Sequence, residues 1–172
     1  MKKMILAMAL VFCAVGTNYA QKGKKPVTNS TQNAIGLRFG GNSGLGTEVS
    51  YQRDLNKANR LEIDLGWRNH NNYDAVKVTG LYQWKWNIDG NFNWYAGPGA
   101  AVGTYNYKYY DGHGKKYSDN GTFGLLTGVV GIEYTFDIPI QVALDVRPEI
   151  YLNDSYRDGV YADFGIAVRY KF

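Results

Sequence analysis

Charged side chains recur at every second position of several segments, and they are the residues of this sequence whose spacing could serve chemistry. The set comprises Arg38, Glu48, Glu62, Asp64, Lys77, Asp145, Arg147, Glu149, Asp163 and Arg169, together with Lys85 and Glu133. Five basic residues face seven acidic ones, which is close to balance. We expect these groups to pair across a shared interior. An ion path or a proton relay is the functional alternative.

A nucleophilic site would need a base within reach of the nucleophile and a third group that orients the base. The candidates are His70, Asp111, His113 and Ser118, all in predicted loops, and His113 lies in the Gly-rich stretch DGHGKK. The two histidines and the loop aspartates show no recognised metal-ligand spacing. We therefore expect no catalytic residue, no metal and no cofactor.

The elements that would position the charges are strands, because from Ala34 onward polar and apolar residues alternate with period two. In residues 140–152, Ile, Val and Leu lie on one face of the predicted strand, and the other face carries Gln141, Asp145, Arg147 and Glu149. Eight such segments occur, and they read AIGLRFGG, LGTEVSYQR, LEIDLGW, AVKVTGLYQWKW, FNWYAGPGAAVGTYNY, FGLLTGVVGIEYTF, IQVALDVRPEIYL and VYADFGIAVRYKF.

The connections between these segments alternate in length. DLNKAN, NIDGN and DIP fall on one side of a predicted barrel, and the longest connection, KYYDGHGKKYSDNG, falls on the other. Pro98 and Pro148 lie inside predicted strands, where each removes a ladder hydrogen bond, so we expect a bulge or bend at each.

The N-terminus predicts export. Residues 1–20 place two lysines before an apolar run that is too short to span a bilayer as a helix, and they end in Ala20, which is typical of a cleaved signal peptide. Residues 21–33 read as a flexible periplasmic lead-in, and residues 34–172 form one domain. Cys13, the only cysteine, lies in the leader, so the mature chain should lack a thiol.

The net charge of +4 comes from the N-terminal lysines. Without Lys2, Lys3, Lys22, Lys24 and Lys25, 14 basic residues face 15 acidic ones, which removes the support for nucleic-acid binding.

Alternation alone does not say which face meets solvent, so a soluble lipocalin-like binding barrel stays open as an alternative. Long strands favour a membrane barrel, since a tilted spanning strand needs about 9–11 residues. Aromatic residues also gather near strand ends, where two interfacial girdles would lie. They are Trp67, Tyr73, Trp84, Trp86, Phe92, Trp94, Tyr134, Phe136 and Tyr170.

The leader, the strand count, the loop asymmetry and the ending VRYKF resemble the small eight-stranded outer-membrane barrels that include the transmembrane domain of outer-membrane protein A and the OmpX-like proteins. The Tyr- and Gly-rich strands are similar to Bacteroidetes-type barrels. The resemblance covers residues 34–172 and implies an all-β, eight-stranded antiparallel up-and-down transmembrane β-barrel in the outer membrane. Tyr170 and Phe172 then look like the signal that the barrel-insertion machinery reads.

The function expected from these features is structural, adhesive or loop-binding, in a monomer whose lumen is filled by side chains and does not conduct. Tyr95, Tyr105, Tyr151 and Tyr161 should point inward and add bulk. The alternatives are an enzyme acting on lipid A or peptides at the external rim, and a small pore. An aromatic and basic loop could contact an external surface or a host ligand, through Tyr109, Tyr110, His113, Lys115, Lys116 and Tyr117.

Overall fold

The computed structural model describes residues 33–41, 46–70, 73–110, 116–152 and 159–172. Eight strands account for most of this part of the chain. They are β1 (Asn33–Gly40), β2 (Gly46–Asp54), β3 (Asn59–His70), β4 (Tyr73–Asp89), β5 (Phe92–Tyr110), β6 (Lys116–Thr135), β7 (Ile140–Tyr151) and β8 (Val160–Lys171). β1 begins at Asn33, one residue before the predicted boundary of the domain.

Each strand pairs antiparallel with the next, and β8 pairs with β1, so the sheet closes into a barrel. The closing register runs from Ala34 opposite Lys171 to Gly40 opposite Gly165. The prediction of an all-β, eight-stranded antiparallel barrel is confirmed. None of the residues that the structure describes forms a helix long and apolar enough to cross a membrane.

The two faces of the barrel wall differ sharply in chemistry. Along β3, Ile63 and Leu65 are 53% and 46% exposed, whereas Asp64 between them is fully buried. Successive residues of a strand point to opposite faces, so this contrast repeats around the wall. Charged and amide side chains fill the interior, and aliphatic side chains cover the exterior.

The barrel has two distinct ends. At one, which we call the turn end, short connections at 55–58, 90–91 and 136–139 join β2 to β3, β4 to β5 and β6 to β7. Gly90 has φ +52°, a conformation that suits a residue without Cβ. The Asn87 side-chain amide donates to the Gly90 carbonyl oxygen at 2.9 Å and fixes this turn. The opposite end is the loop end.

Four strands are longer than the alternation predicted. β3 contains 12 residues, and β4, β5 and β6 contain 17, 19 and 20. The β5/β6 ladder continues until Tyr110 lies opposite Lys116, so most of the predicted loop KYYDGHGKKYSDNG is a β-hairpin. The connection between the predicted strands LEIDLGW and AVKVTGLYQWKW is likewise shorter than expected, because β3 reaches His70 and β4 begins at Tyr73.

Of the bulge or bend expected at each proline, the bulge is absent. The β4/β5 register is the same on both sides of Pro98, and the β7/β8 register runs through Pro148 opposite Ala162. The register shift of β4 against β5 lies between Asn87 and Asp89 instead. Beside Pro148, the Thr127 hydroxyl lies 2.9 Å from the Pro148 carbonyl oxygen and 3.0 Å from that of Gly128. A proline cannot donate to the Gly128 carbonyl, and this hydroxyl supplies a donor there without a bulge.

Outward aromatic residues cluster on β4, β5 and β6 near the turn end, where the Trp86 and Trp94 rings stack with centroids 4.3 Å apart. Phe92, Tyr134 and Phe136 continue the cluster through ring contacts. The sequence expectation fails for Tyr73. This residue shares the inward face of β4 with Lys77 and lines the interior at the loop end.

Candidate functional site

Ten charged side chains meet inside the barrel, and salt bridges join them into one group, which we call the central network. They come from six strands, each from an inward position of the alternation. The members are Arg38 of β1, Glu48 of β2, Glu62 and Asp64 of β3, Lys77 of β4, Asp145, Arg147 and Glu149 of β7, and Asp163 and Arg169 of β8.

Arg38 anchors one side of the central network. Its Nη2 lies 2.6 Å from Asp145 Oδ1, and its Nε donates to the same oxygen at 3.0 Å. Nη1 donates to Glu48 at 3.1 Å, and Nη2 also reaches Asp163 at 3.3 Å. The planar guanidinium suits this forked geometry, and it ties β1 to carboxylates on β2, β7 and β8.

Arg147 forms the second anchor. Its Nη1 lies 2.7 Å from Asp64 and its Nη2 lies 2.7 Å from Glu62, so both carboxylates of β3 meet one guanidinium of β7. Glu48 and Asp145 lie farther away, at 3.4 Å and 3.5 Å. Because β3 and β7 lie four strands apart in a barrel of eight, these contacts cross the full diameter of the lumen.

Two further cations complete the central network. Lys77 Nζ lies 2.8 Å from Glu149 and 3.5 Å from Glu48. Arg169 Nη2 donates to Glu62 at 3.0 Å, and its Nε donates to the Ser50 hydroxyl at 2.9 Å. Four cations therefore serve six carboxylates, and Arg38, Arg147 and Lys77 each contact more than one of them.

A second charged cluster lies nearer the turn end, and sequence reasoning missed its principal residue. Arg60, 1% exposed, donates to Glu133 and to Gln83 at 2.5 Å each, and its guanidinium lies 4.5 Å above the Tyr95 ring. Arg60 shares the alternation of Glu62 and Asp64, so extending β3 by one step would have included it.

Apart from Gln141, which the alternation placed on the polar face of its strand, neutral polar residues were also missed as part of the interior. Gln52 and Gln83 donate to Glu62 at 2.5 Å and 3.0 Å. The buried polar residues without a charge are Ser50, Gln52, Thr79, Gln83, Thr127 and Gln141. Lys85, expected on the polar face, pairs with Asp54 at 2.5 Å.

Apolar and aromatic side chains fill the remaining interior on the β4 to β8 side. One cluster contains Leu81, Tyr95, Val129, Ala143 and Ala167, and another contains Ala101, Phe123 and Leu125 with Tyr105 and Tyr151 against it. The Tyr151 ring contacts Phe123 and Tyr161, at centroid distances of 5.9 Å and 5.8 Å. The four tyrosines expected to point inward occupy these positions.

Small cavities lie near both ends of the described part of the lumen. The loop-end cavity, about 30 Å³, lies beside Lys77, Glu48 and Glu149 and is walled by Tyr73 and Phe123. The turn-end cavity, about 10 Å³, is lined by Asn33, Ala34, Gln52, Asp54, Arg60, Gln141 and Lys171. Both are of the size of one or a few water molecules.

The candidates for chemistry at the loop end are only partly described. Asp111, His113 and Lys115 lie outside the described residues, as do the side chains of His70, Tyr109, Tyr110 and Lys116. The Ser118 hydroxyl donates to Asn106 at 3.2 Å, and Tyr117 is 39% exposed on β6. Among the described residues, no group of three or more His, Cys, Asp or Glu side chains could hold a metal ion.

The two residues expected to signal assembly lie on the outward face of the last strand. Tyr170 and Phe172 are 51% and 53% exposed, and their rings stack with centroids 6.4 Å apart. The Phe172 amide donates to the Asn33 carbonyl at 2.9 Å, so the C-terminal residue also takes part in barrel closure.

Comparison with known proteins shows similarity of structure without similarity of sequence. Neither a protein-family model nor a curated protein matches the chain. Neisserial surface protein A superposes with a TM-score of 0.59 at 12% identity, over 81% of this chain and 94% of its own. The N-terminal β-barrel domain of Pseudomonas aeruginosa OprF gives 0.57 at 12% identity, over 80% and 96%. The attachment invasion locus protein Ail of Yersinia pestis gives 0.55 at 12% identity, over 81% and 96%.

The chain thus has the fold of the small eight-stranded outer-membrane β-barrels, as the sequence resemblance predicted.

Proposed function

We propose that this chain is an integral outer-membrane protein, exported by a leader cleaved after about Ala20, that has a structural or adhesive role and a closed, non-conducting lumen. The observation that carries the proposal is that apolar side chains cover the outside of the barrel and charged side chains fill the inside, the reverse of a protein folded in water. Leu144 is 51% exposed on the outside of β7, whereas the neighbouring Asp145 is 6% exposed inside.

A hydrocarbon environment explains this inversion. An exterior of aliphatic side chains on every strand is unfavourable in water and favourable in lipid. A closed sheet satisfies every ladder hydrogen bond between its own strands, as a bilayer requires. The shorter strands of 8 to 12 residues are close to the length that a tilted strand needs to span the hydrocarbon. The aromatic cluster at the turn end fits an interfacial girdle, and the short turns there fit the periplasmic side.

Lipid contact can be tested by electrophoresis in detergent. Unheated protein should migrate at a different apparent size from boiled protein, because a closed barrel resists unfolding by detergent. A stable, monomeric protein that stays in solution without detergent would contradict the proposal and favour a soluble binding barrel.

The face assignment has a separate test with a matched control. Leu144→Arg should lower the free energy of unfolding by about 2–4 kcal/mol, because Leu144 faces outward in the middle of β7. Ile138→Arg makes the same change in the turn between β6 and β7, where the cost should be about 0–1 kcal/mol. Equal small costs, measured by denaturant titration in lipid or detergent, would place the protein outside the bilayer.

An adhesive role is the second candidate, and the projecting hairpin favours it. β7 follows β6 only as far as Tyr151 opposite Leu125, and β4 follows β5 to Tyr73 opposite Tyr107. β5 and β6 continue beyond both points and expose Tyr107 and Tyr117. A hairpin that carries exposed aromatic residues suits contact with an external surface or a host ligand.

Adhesion can be separated from a structural role in cells. Cells that lack the protein should lose adhesion to a coated surface, and cells whose protein carries Tyr107→Ala and Tyr117→Ala should lose it equally while keeping an intact envelope. Normal adhesion in both strains would contradict the adhesive role, and the structural role would then be the only one still proposed.

A further inference from the structure

The turn-end cavity is lined by two residues that each carry a buried polar atom without a hydrogen-bond partner among the described residues. These atoms are Arg60 Nη2, a donor, and Gln141 Oε1, an acceptor. Both residues are 1% exposed, and both line this cavity. The other two nitrogens of the Arg60 guanidinium are engaged, with Gln83 and Glu133, so Nη2 is the nitrogen left without a partner.

The two atoms come from opposite walls. Arg60 belongs to β3 and Gln141 to β7, which lie four strands apart in the closed order of eight. A direct hydrogen bond is not made, and a buried donor and a buried acceptor that stay unpaired are both costly. A group that accepts from one and donates to the other would satisfy both.

We propose that the turn-end cavity is a binding site for a single ordered water molecule, which bridges Arg60 and Gln141 across the lumen. Its volume of about 10 Å³ matches the space that one water needs. The inference rests on the closed lumen proposed above, and it adds a specific bridge that ties the two walls together at this end.

The charges around the cavity select a neutral ligand over an ion. Arg60 and Lys171 disfavour a cation, and Asp54 together with the Gln141 carbonyl oxygen disfavours an anion. A water molecule can donate and accept at once, and it carries no net charge to be compensated. Gln52 also lines the cavity, and its amide oxygen is a further acceptor for a water molecule.

A crystal structure of the full mature protein, at a resolution that shows ordered water, tests the site directly. We expect one water peak within hydrogen-bond distance of Arg60 Nη2 and Gln141 Oε1. The peak should be lost in Gln141→Met, which keeps the length of the side chain and removes the acceptor. It should persist in Thr79→Val, which removes another buried hydroxyl without a described partner, at a position that lines neither cavity.

The outcomes that overturn the site are distinct. An empty cavity in the wild-type protein, or a peak that persists in Gln141→Met, rules out the bridge. An anomalous signal at this position after a bromide soak would identify an anion instead. The wild-type result decides the question even if a variant does not fold, and a dry cavity in a barrel that blocks ions would refute the water site while leaving the closed lumen intact.

Discussion

At the scale of single residues, the interior depends on a few guanidinium groups that are each shared by several carboxylates. Arg147 contacts four carboxylates, of which Glu62 and Asp64 are the nearest. Removing such a guanidinium leaves buried carboxylates without a cation between them. The resulting loss of stability is larger than the net stability that the ion pairs provide over apolar side chains of similar volume. The loss of one guanidinium therefore affects several carboxylates of the central network at once.

Arg147→Ala should lower the free energy of unfolding by about 3–5 kcal/mol, the range for breaking a buried pair by removing one partner. Arg53→Ala, which removes an exposed arginine on the outside of β2, is the control and should change it by less than about 0.5 kcal/mol. Denaturant titration of both variants in the same detergent measures the difference. Equal effects would mean that water reaches the central network.

Alternation of polar and apolar residues predicted the ten members of the central network. Each of them is charged, and its neighbours along the strand, which lie on the other face, are mostly apolar. It did not reveal Arg60, since the predicted strand began one residue later, nor the buried Gln52 and Gln83, whose neutral side chains are common on exposed surfaces as well. The pairing of particular residues across the lumen depends on barrel closure and stagger, which no local pattern contains.

At the scale of elements, close approach of strands places a strict demand on some glycines. A Cβ added to Gly97 of β5 would lie 1.8 Å from the Tyr82 carbonyl oxygen of β4, which is backbone and cannot move aside cheaply. A Cβ added to Gly80 of β4 would meet nothing within 4 Å. The two glycines lie in the same pair of strands, so they form a matched comparison.

Gly97→Ala should destabilise the barrel by about 1–3 kcal/mol, the usual cost of overpacking, because β4 and β5 must separate locally. Gly80→Ala should be neutral or slightly stabilising, since it reduces the freedom of the unfolded chain. Urea unfolding of both variants gives the comparison. A neutral Gly97→Ala would show that the two strands part without strain.

The last strand gives a second prediction at this scale, which concerns assembly. Phe172→Ala should reduce insertion in cells severely if the insertion machinery reads the C-terminal aromatic residue. Phe164→Ala removes another outward aromatic from β8, one that is 69% exposed, and should reduce insertion much less. Both should cost the purified protein a similar, modest stability. Equal insertion of the two variants would make Phe172 an ordinary lipid-facing residue.

Strand number and order could be predicted, whereas strand ends could not. The segment KYYDGHGKKYSDNG lacks apolar alternation, yet β5 and β6 extend into it because a hairpin whose register is already set can add backbone hydrogen bonds with polar side chains. The bulge expected at Pro148 could not be ruled out from the sequence. Thr127 supplies a hydroxyl donor beside Pro148, and this contact between neighbouring strands is not visible in the local pattern.

At the scale of the whole molecule, conduction depends on how fully the side chains occupy the lumen. An eight-stranded barrel has an interior just wide enough for its own side chains, whereas aqueous channels require about 16 strands or more. Here Arg38, Arg147 and Tyr95 are all buried inside, and the loop-end and turn-end cavities are small. The salt bridges of the central network cross the lumen from β3 to β7.

In planar bilayers we therefore expect no steady, ion-selective conductance from the wild-type protein. Arg147→Ala should lower the stability of the barrel without opening a conducting path. Loss of the guanidinium removes the cation shared by Glu62 and Asp64 and the contacts that join β3 to β7. Refolded, boiled and mock-purified samples from the same preparation distinguish a contaminating porin from the barrel itself. Reproducible single-channel steps that appear with folded wild-type protein and vanish on boiling would refute the closed lumen and make a pore the better proposal.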